Sequence, residues 1–230
     1  MVLSPRLMAV AKYIYSGATV ADIGTDHAYL PVYLIQQGIT NRIIAGEINE
    51  QPFKAAQITI QANNIREAID LRLGNGLNIL TPGEAEIIVI AGMGGKTVCT
   101  ILGQGSEVLK HVQRLVIQPM NNIPMVRRWL LANEWHLADE EMINESGHYY
   151  VIISAEQGNE KINDDFLLTI GPRLLEKKDT VLRTYLNERL LVINHIVKGI
   201  NNNSGKKVTA ERALFLQEQA AKIQEVLYKW

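Results

Sequence analysis

Two aspartates and a glycine stand close together near the N-terminus, in the segment DIGTDH (22–27). The segment follows a short apolar run and precedes a helical pattern, so we expect it to form the turn from a strand into a helix. Open α/β sheets bind ligands at such turns. Gly24 permits a tight turn beside a ligand, and Asp22 can hold the turn or bind an amino group. The alternative is an ordinary strand–turn–helix with aspartate as a cap.

The same segment separates two kinds of nucleotide ligand. A dinucleotide site requires three glycines in the pattern G-x-G-x-x-G, where the backbone approaches a pyrophosphate. Here the three positions hold Gly24, Asp26 and Tyr29. The carboxylate of Asp26 would repel a pyrophosphate, whereas it is compatible with a cationic sulfonium. The spacing therefore favours S-adenosyl-L-methionine over NAD as the cofactor.

Two further strand ends carry groups that fit an adenosine. Glu47, followed by Ile48, closes the second apolar run 23 residues after Gly24, where an acidic side chain can accept both ribose hydroxyls. Asn75 and Gly76 follow the third run, and the Asn75 amide can bond an adenine edge. A plain Asn-Gly turn explains this pair equally well. Together with the first motif, the order of these features predicts one cofactor pocket.

A glycine-rich segment, AGMGGKT (91–97), ends the fourth apolar run. It is not a P-loop, because that motif requires glycine at position 90, which is Ile90. We expect Ala91 and Gly92 to border the cofactor, with the backbone around Gly94 forming a wall beside the reacting atoms. The thioether of Met93 can pack on the face of a base.

Other polar and aromatic residues are candidates for contact with a substrate. Gln118 and Pro119 end the fifth strand and place an amide on the same edge of the sheet. Arg127 lies on the next helix, where it can contact phosphate or simply belong to a solvated face. Tyr149 begins the last strand and either stacks on a base or fills the core.

The pattern of the first 155 residues predicts a parallel sheet covered by helices on both faces. Strands are expected at 19–23, 42–48, 69–73, 85–91 and 114–117, with helices at 28–37, 51–63, from 95 and at 124–133. Two late strands, 136–143 and 148–155, predict a hairpin that adds an antiparallel element. A doubly wound sheet with one such hairpin is typical of class I, Rossmann-like methyltransferases that use S-adenosylmethionine.

The pattern changes near residue 158, which predicts a catalytic domain over 1–158 and a helical domain over 159–230. Apolar residues recur at helical spacing on both sides of a polar loop at 201–207, so a coiled-coil-like helical hairpin is expected. The hairpin either packs back on the sheet or protrudes as an arm. Residues 160–230 carry 12 Lys and Arg against 9 Asp and Glu. This balance fits a polyanionic partner held by Lys206 and Lys207, or an ordinary solvated surface.

Composition excludes several other classes of protein. The 230 residues are 47% hydrophobic and 20% charged, which is ordinary for a globular chain. Cys99 is the one cysteine and the five histidines are scattered, so neither a disulfide framework nor a zinc site is expected. No apolar run is long enough to span a membrane and no signal-peptide pattern begins the chain, so we expect a cytoplasmic protein without membrane or metal partners.

The chain resembles the TrmK family, bacterial enzymes that methylate N1 of the adenine at position 22 of tRNA. The matching segments are DIGTDHAYLP (22–31), IAGMGG (90–95), Gln118-Pro119 and VRRWL (126–130). The resemblance extends over the whole chain, and the first two segments together are highly specific. Generic adenine-N6 methyltransferases carry an Asp/Asn-Pro-Pro-aromatic motif after the fourth strand, where this chain has Gly-Met-Gly-Gly. The resemblance implies a class I methyltransferase domain followed by a coiled-coil-like domain that grips tRNA.

The implied reaction needs no base before methyl transfer, since N1 of adenine already carries a lone pair. The enzyme then works through alignment and electrostatics. Asp26 is expected to favour the charge that develops on the purine, and His27 to orient the base or carry a proton later. The nucleotide must also be extruded from folded tRNA. Two alternatives stay open, which are a methyltransferase for another RNA or a small molecule, and a non-catalytic binding module.

Overall fold

The computed structural model describes residues 1–202 and 207–230. Its seven-stranded sheet has the order β3-β2-β1-β4-β5-β7-β6. The strands are β1 (Val20–Ile23), β2 (Ile43–Glu47), β3 (Ile69–Leu73), β4 (Ile87–Met93), β5 (Arg114–Pro119), β6 (Trp135–Glu145) and β7 (His148–Gln157). Strands β1 to β5 are parallel, whereas β7 runs antiparallel to both β5 and β6. The predicted parallel sheet and late hairpin are both confirmed.

Helices connect the strands and continue beyond the sheet. They are α1 (Pro5–Ala11), α2 (Tyr29–Gln36), α3 (Glu50–Ala62), α4 (Gly95–Gln104), α5 (Ser106–Leu109), α6 (Ile123–Ala132), α7 (Asp165–Ile170), α8 (Pro172–Glu176), α9 (Thr180–Asn202) and α10 (Lys207–Tyr228). In the part of the chain that the structure describes, no helix combines the length and the apolar character needed to cross a membrane.

The central strands are apolar because helices bury both of their faces. All residues of β1 and β2 are buried, and so are the first four residues of β4. The chain builds the sheet outward from β1 in one direction through β2 and β3, and then in the other direction through β4 and β5. This reversal opens a crevice between the carboxyl ends of β1 and β4, which is where open α/β sheets bind ligands.

Helix α1 was not predicted, although its start carries a recognisable signal. Ser4 caps the helix by accepting a hydrogen bond from the backbone nitrogen of Leu7 at 3.3 Å, and Pro5 occupies the first turn. At seven residues, the helix is too short for a clear apolar period. It packs against α2, β5, β6 and β7, with Ala9 and Val10 buried in the main core.

The chain divides into two compact units, Met1–Arg173 and Leu174–Trp230, which is later than the expected division at 158. Residues 159–173 belong to the first unit because they are bonded to it. The Leu168 carbonyl accepts a hydrogen bond from Arg127 Nη1 at 2.7 Å, and Arg173 donates from Nε to the Leu137 carbonyl at 2.6 Å. The change of sequence pattern therefore precedes the change of packing unit.

The second unit contains the expected pair of helices, α9 and α10, which pack against each other. Their buried side chains include Leu182, Leu186 and Ile193 on α9, and Ala213 and Ile223 on α10. Helix α9 extends to Asn202 and α10 begins at Lys207, so residues 201, 202 and 207 of the expected loop are helical. Lys206 lies outside the described residues, and so does the side chain of Lys207.

Candidate functional site

A cavity of about 850 Å³ opens at the carboxyl ends of strands β1 to β4. Twelve residues singled out from the sequence line it, namely Asp22, Gly24, Asp26, His27, Tyr29, Glu47, Ile48, Asn75, Gly76, Ala91, Gly92 and Met93. They come from four separate segments of the chain. Parallel strands bring these segments together because their carboxyl ends share one edge of the sheet.

The turn after β1 places a buried carboxyl at the base of the cavity. Asp22 is 5% exposed and accepts a 2.7 Å hydrogen bond from the hydroxyl of Thr25. Burial raises the pKa of Asp22 to about 6 from an ordinary 3.8. Gly24 follows with a φ of +78°, and a Cβ atom there would collide with the terminal methyl group of Met93. The positive φ therefore favours glycine at this position, and the flexible Met93 side chain is the group that a Cβ atom would displace.

Glu47 joins the end of β2 to the turn after β1. Its carboxylate accepts hydrogen bonds from the backbone nitrogens of Ile48 at 2.9 Å, Asn49 at 3.0 Å and Asp26 at 3.3 Å. These contacts fix the orientation of a carboxylate that is 7% exposed and lines the cavity. A fixed carboxylate at the end of the second strand can accept the two hydroxyls of a ribose.

An exposed aromatic pair borders the cavity on the helix side. The rings of His27 and Tyr29 are stacked, with centroids 5.2 Å apart and planes inclined by 10°. Asp26, with a φ of +52°, places its Oδ1 atom 3.8 Å from Nε2 of His27. The arrangement offers a flat apolar surface beside a carboxylate, which suits a planar base that gains positive charge.

The end of β4 is built around backbone atoms. Gly92 has a φ of +80°, and the pairing with β5 shifts between Ala91 and Met93. The carbonyl of Met93 accepts a hydrogen bond from the backbone nitrogen of Met120 at 2.8 Å. The side chains of Ala91 and Met93 thus reach the cavity from an irregular strand end, where a β-bulge changes their direction.

The charges around the cavity suit a cationic ligand. Asp22, Asp26 and Glu47 supply three carboxyl groups, whereas pyrophosphate would require neutral or positive surroundings. Among residues 1–202 and 207–230, no three His, Cys, Asp or Glu side chains are grouped so as to hold a metal ion.

Comparisons with known proteins agree with this geometry. A family model described as a methyltransferase domain matches residues 3–153. The tRNA (adenine(22)-N(1))-methyltransferase of Bacillus subtilis is 33% identical over 230 residues, which cover 98% of this chain and 97% of that protein. This chain belongs to the TrmK family. The predicted class I methyltransferase fold and the resemblance to this family are both confirmed.

Two solved TrmK-family structures extend the likeness to three dimensions. The crystal structure of the B. subtilis m1A22 tRNA methyltransferase TrmK has a TM-score of 0.86 at 32% identity, covering 98% of this chain and 99% of that one. A Streptococcus pneumoniae protein described as a putative tRNA (m1A22) methyltransferase, in complex with S-adenosyl-L-methionine, has a TM-score of 0.85 at 31% identity. It covers 98% of this chain and 100% of that one.

In this TrmK-family chain, several predicted substrate contacts lie away from the cavity. Arg127 is 0% exposed, and its Nε donates to Glu140 at 2.6 Å, so the expected phosphate contact is wrong. Gln118 is also 0% exposed, with its amide engaged inside the protein, and Pro119 is buried beside it. Because neither side chain reaches solvent, the prediction that they contact substrate directly is corrected.

Two other predicted contacts also lie outside the cavity. Tyr149 is partly exposed in the β6–β7 hairpin, opposite Asn144. Gly94 caps α4, and a Cβ atom there would lie 3.3 Å from Oδ1 of Asn121. Gly94 therefore serves the packing of the α4 start, next to the lining residue Met93.

The sequence analysis missed the residues that α1 and α4 contribute to the cavity. Arg6 reaches it from α1, and Thr97, Thr100 and Gln104 reach it from α4. The two threonines recur at helical spacing after the glycine-rich segment, which is a signal that a helical-face analysis would have found. The position of Arg6 in the sequence does not indicate that it lines the same cavity as Ala91 and Met93, which are more than eighty positions away.

Proposed function

We propose that this protein transfers the methyl group of S-adenosyl-L-methionine to N1 of the adenine at position 22 of tRNA. The observation that carries the proposal is that one cavity is lined by all eight residues predicted from sequence to bind the cofactor. The choice of substrate rests on family membership, since the B. subtilis relative is named for this activity.

Along the edge of the sheet, successive lining residues fit successive parts of the cofactor. Asn75 at the end of β3 and Glu47 at the end of β2 supply polar groups for an adenine and a ribose. Gly92 leaves room for the ligand near β4, and Gly24 lines the cavity at the end of β1. Asp22 is placed to balance an ammonium group. The bound cofactor supplies an electrophilic methyl group on a cationic sulfur.

The protein's task is to hold the target adenine in line with that methyl group. The lone pair of N1 forms the new N–C bond while the C–S bond breaks, and the purine takes up the positive charge that the sulfur loses. Asp26 stabilises this charge on the purine, and the stacked His27 and Tyr29 rings orient the base. Met93 closes the opposite side of the base with its thioether.

A target inside folded tRNA must leave its stack to enter the cavity, which costs a few kcal/mol of stacking energy. We assign the α9–α10 helices to the binding of the tRNA body, with Lys206 and Lys207 of the segment between them in sequence as its cationic contacts. Since bacterial tRNA is made and used in the cytoplasm, the proposed substrate places the enzyme there.

Incubation of the purified protein with radiolabelled cofactor and an unmodified tRNA transcript tests this function. We expect label at N1 of the adenine at position 22, mapped by nuclease digestion and mass spectrometry. A matched transcript with guanine at position 22 should stay unlabelled. Label at another nucleotide, or transfer only to a small molecule, would move the protein to a different substrate class. An absence of cofactor binding would leave a binding module without catalysis.

A further inference from the structure

The two edge strands of the sheet, β3 and β6, differ in how their backbone is covered. On β6, the nitrogen of Leu137 donates to Glu160 Oε2 at 3.0 Å, and its carbonyl accepts from Arg173 Nε at 2.6 Å. The pairing of β6 with β7 is also irregular between Leu137 and Asp139. Side-chain caps and bulges of this kind keep an edge strand from pairing with another chain.

Strand β3 has a regular and uncovered edge. The carbonyl of Ala68 and the nitrogen of Gly74 both bond the backbone of β2, at 2.9 and 2.8 Å. Because alternate residues of a parallel strand face the same neighbour, the even-numbered residues of β3 face β2, whereas Ile69, Leu71 and Leu73 direct their backbone groups outward. Within residues 1–202 and 207–230, neither a side chain nor a loop bonds the backbone of these three residues.

The charges of β3 are complementary to themselves about Leu71. Asp70 and Arg72 flank this residue and lie on one face of the strand. In an antiparallel pair of two β3 strands centred on Leu71, Asp70 of each copy faces the partner's Arg72. A shift by two residues would place Asp70 opposite Asp70, or Arg72 opposite Arg72. Like charges directly opposite are destabilising, so the charges select the Leu71-centred register.

The same register satisfies the outward backbone groups. Antiparallel strands alternate between pairs that exchange two hydrogen bonds and closer pairs that exchange none. In the Leu71-centred register, Leu71 faces the partner's Leu71 and Ile69 faces the partner's Leu73, so every outward residue falls in a bonded pair. Asp70 and Arg72 fall in the closer pairs, where Cα atoms are about 4.5 Å apart. Their side chains are therefore near enough to form ion pairs.

Asp70 has a free oxygen for such an ion pair. Arg72 donates from Nε and Nη2 to Oδ2 of Asp70, at 3.1 and 2.7 Å, and it also pairs with Glu84. Among the described residues, Oδ1 of Asp70 has no hydrogen-bond partner, and the side chain is 46% exposed. The cluster thus has one cation for two carboxylates. A second guanidinium beside Asp70 balances its charge.

A groove beside β3 accommodates an exposed leucine. A cavity of about 370 Å³ lies between α3 and β3, where Phe53, Ile60, Ile69 and Leu71 are among the lining residues. Leu73, at the end of β3, is 51% exposed. In the Leu71-centred register, the partner's Leu73 lies opposite Ile69 on the face that borders this groove. Pairing therefore removes an apolar side chain of each copy from water.

We propose that two copies of this chain dimerise by antiparallel pairing of their β3 strands about Leu71. The partner is a second copy because the charges, the backbone pattern and the groove are each complementary to themselves across a two-fold axis. Antiparallel pairing directs the carboxyl ends of the parallel strands of the two copies to opposite edges of the joined sheet. Each cofactor cavity is then lined by one copy alone. The interface is small, so its dissociation constant should be micromolar.

Sedimentation velocity of the full chain over a range of concentrations tests this pairing. We expect a monomer–dimer equilibrium. Asp70→Lys should weaken dimerisation about tenfold, because two symmetric pairs change from attraction to repulsion. Glu107→Lys makes the same charge change at an exposed site on α5 and is the matched control, which should dimerise like the wild type. Both variants should bind S-adenosylhomocysteine, the cofactor without its methyl group, normally, since neither residue lines the cavity.

Cysteine cross-linking tests the register. Leu71→Cys places two thiols opposite each other with Cα atoms about 5.5 Å apart, so mild oxidation should give a covalent dimer. Leu73→Cys is the control, because residue 73 is more exposed but lies about 13 Å along the strands from residue 73 of the partner. It should remain unlinked. The wild type, which contains Cys99, measures the background of random linking.

Thermal unfolding of each variant checks that it is folded, and the sedimentation result decides if Leu71→Cys is not. A wild type that stays monomeric up to about 300 µM would overturn the proposal. Dimerisation that Asp70→Lys leaves unchanged would also overturn it and would locate the contact on another surface. Equal linking of Leu71→Cys and Leu73→Cys would reject the Leu71-centred register in favour of random collision.

Discussion

At the scale of single residues, the titration of Asp22 decides how the cavity responds to pH. Its pKa is about 6 in the folded protein because burial penalises the ionised form, against 3.8 for the ordinary side chain. The folded state therefore binds this proton more tightly than the unfolded state does. The stabilisation from protonated Asp22 is fully present below a pH of about 4 and is lost as the pH rises through about 6.

We therefore predict that Asp22→Asn removes a pH-dependent part of the stability. The difference in unfolding free energy between the wild type and the variant should change by about 2 kcal/mol between pH 4 and pH 7, at about 1.4 kcal/mol for each pKa unit. Urea unfolding of the ligand-free proteins at a series of pH values measures it. Asparagine retains an acceptor for the Thr25 hydroxyl, so packing is preserved. Parallel pH profiles for the two proteins would contradict the shift.

Asp26 is predicted to act on the reaction and less on cofactor binding. Asp26→Asn is the suitable change, since asparagine tolerates the φ of +52° that alanine would adopt with strain. The side chain is 67% exposed, so solvent screens its charge, and we expect turnover to fall only about tenfold. The dissociation constant of S-adenosylhomocysteine should stay within about twofold, a free-energy change of about 0.4 kcal/mol. Equal losses in turnover and affinity would reassign Asp26 to cofactor binding.

At the scale of elements, the parallel strands and the site motifs were predictable because both follow local rules. A strand buried on both faces reads as a continuous apolar run, as at β4, and glycines and acidic residues mark where each run ends. Helix α1 was not predicted, because seven residues are too few to show a helical period of apolar residues. The role of Gln118 was not predicted either, since its partners Arg6 and Gly92 come from elements distant in sequence.

Arg127 is a further residue whose environment could not be predicted from the sequence, because packing against one neighbouring strand, β6, decides whether this arginine is exposed or buried. Its guanidinium bonds Glu140 of β6 and the carbonyl of Leu168 in α7, and thereby ties α6 to both. We predict that Arg127→Met destabilises the fold by about 3–5 kcal/mol, because Glu140 is left as a buried unpaired charge. Chemical denaturation measures this loss.

The double variant Arg127→Met with Glu140→Met separates an ion-pair effect from a packing effect. It should be less destabilised than Arg127→Met alone, since no buried charge remains unpaired. Fully additive losses would show that packing, and not the charge pair, is responsible. Residual folded Arg127→Met protein should bind tRNA with normal affinity, because this side chain has no exposed surface.

At the scale of the whole molecule, the chain separates chemistry from cationic charge. Residues 1–159 contain 11 Lys and Arg and 15 Asp and Glu, whereas the rest carries an excess of three cations. Acidic groups around the cavity suit a cationic cofactor but repel RNA phosphates at long range. We expect the excess of Lys and Arg after residue 159 to supply the attraction for a polyanion that the cavity lacks.

The position of the division predicts how the chain can be cut. A fragment of residues 1–173 contains all the cavity residues and ends with the first compact unit, so it should fold and bind S-adenosylhomocysteine like the full chain. A fragment of residues 1–158 lacks the Leu168 carbonyl that Arg127 bonds and the Arg173 side chain that bonds the Leu137 carbonyl. It should unfold at a markedly lower temperature. Because both fragments lack α9 and α10, comparing the two separates the loss of packing within the first unit from the loss of these helices.

The soluble 1–173 fragment then tests the function of the helical pair. Its tRNA affinity should fall at least tenfold, and the affinity of the full chain should decrease as salt rises, since phosphate contacts release counterions. Filter binding at several salt concentrations measures both, with cofactor binding as the control for folding. If the fragment methylated tRNA as efficiently as the full chain, the helices α9 and α10 would have no part in gripping tRNA. Their apolar pairing would then serve another partner or the stability of the chain.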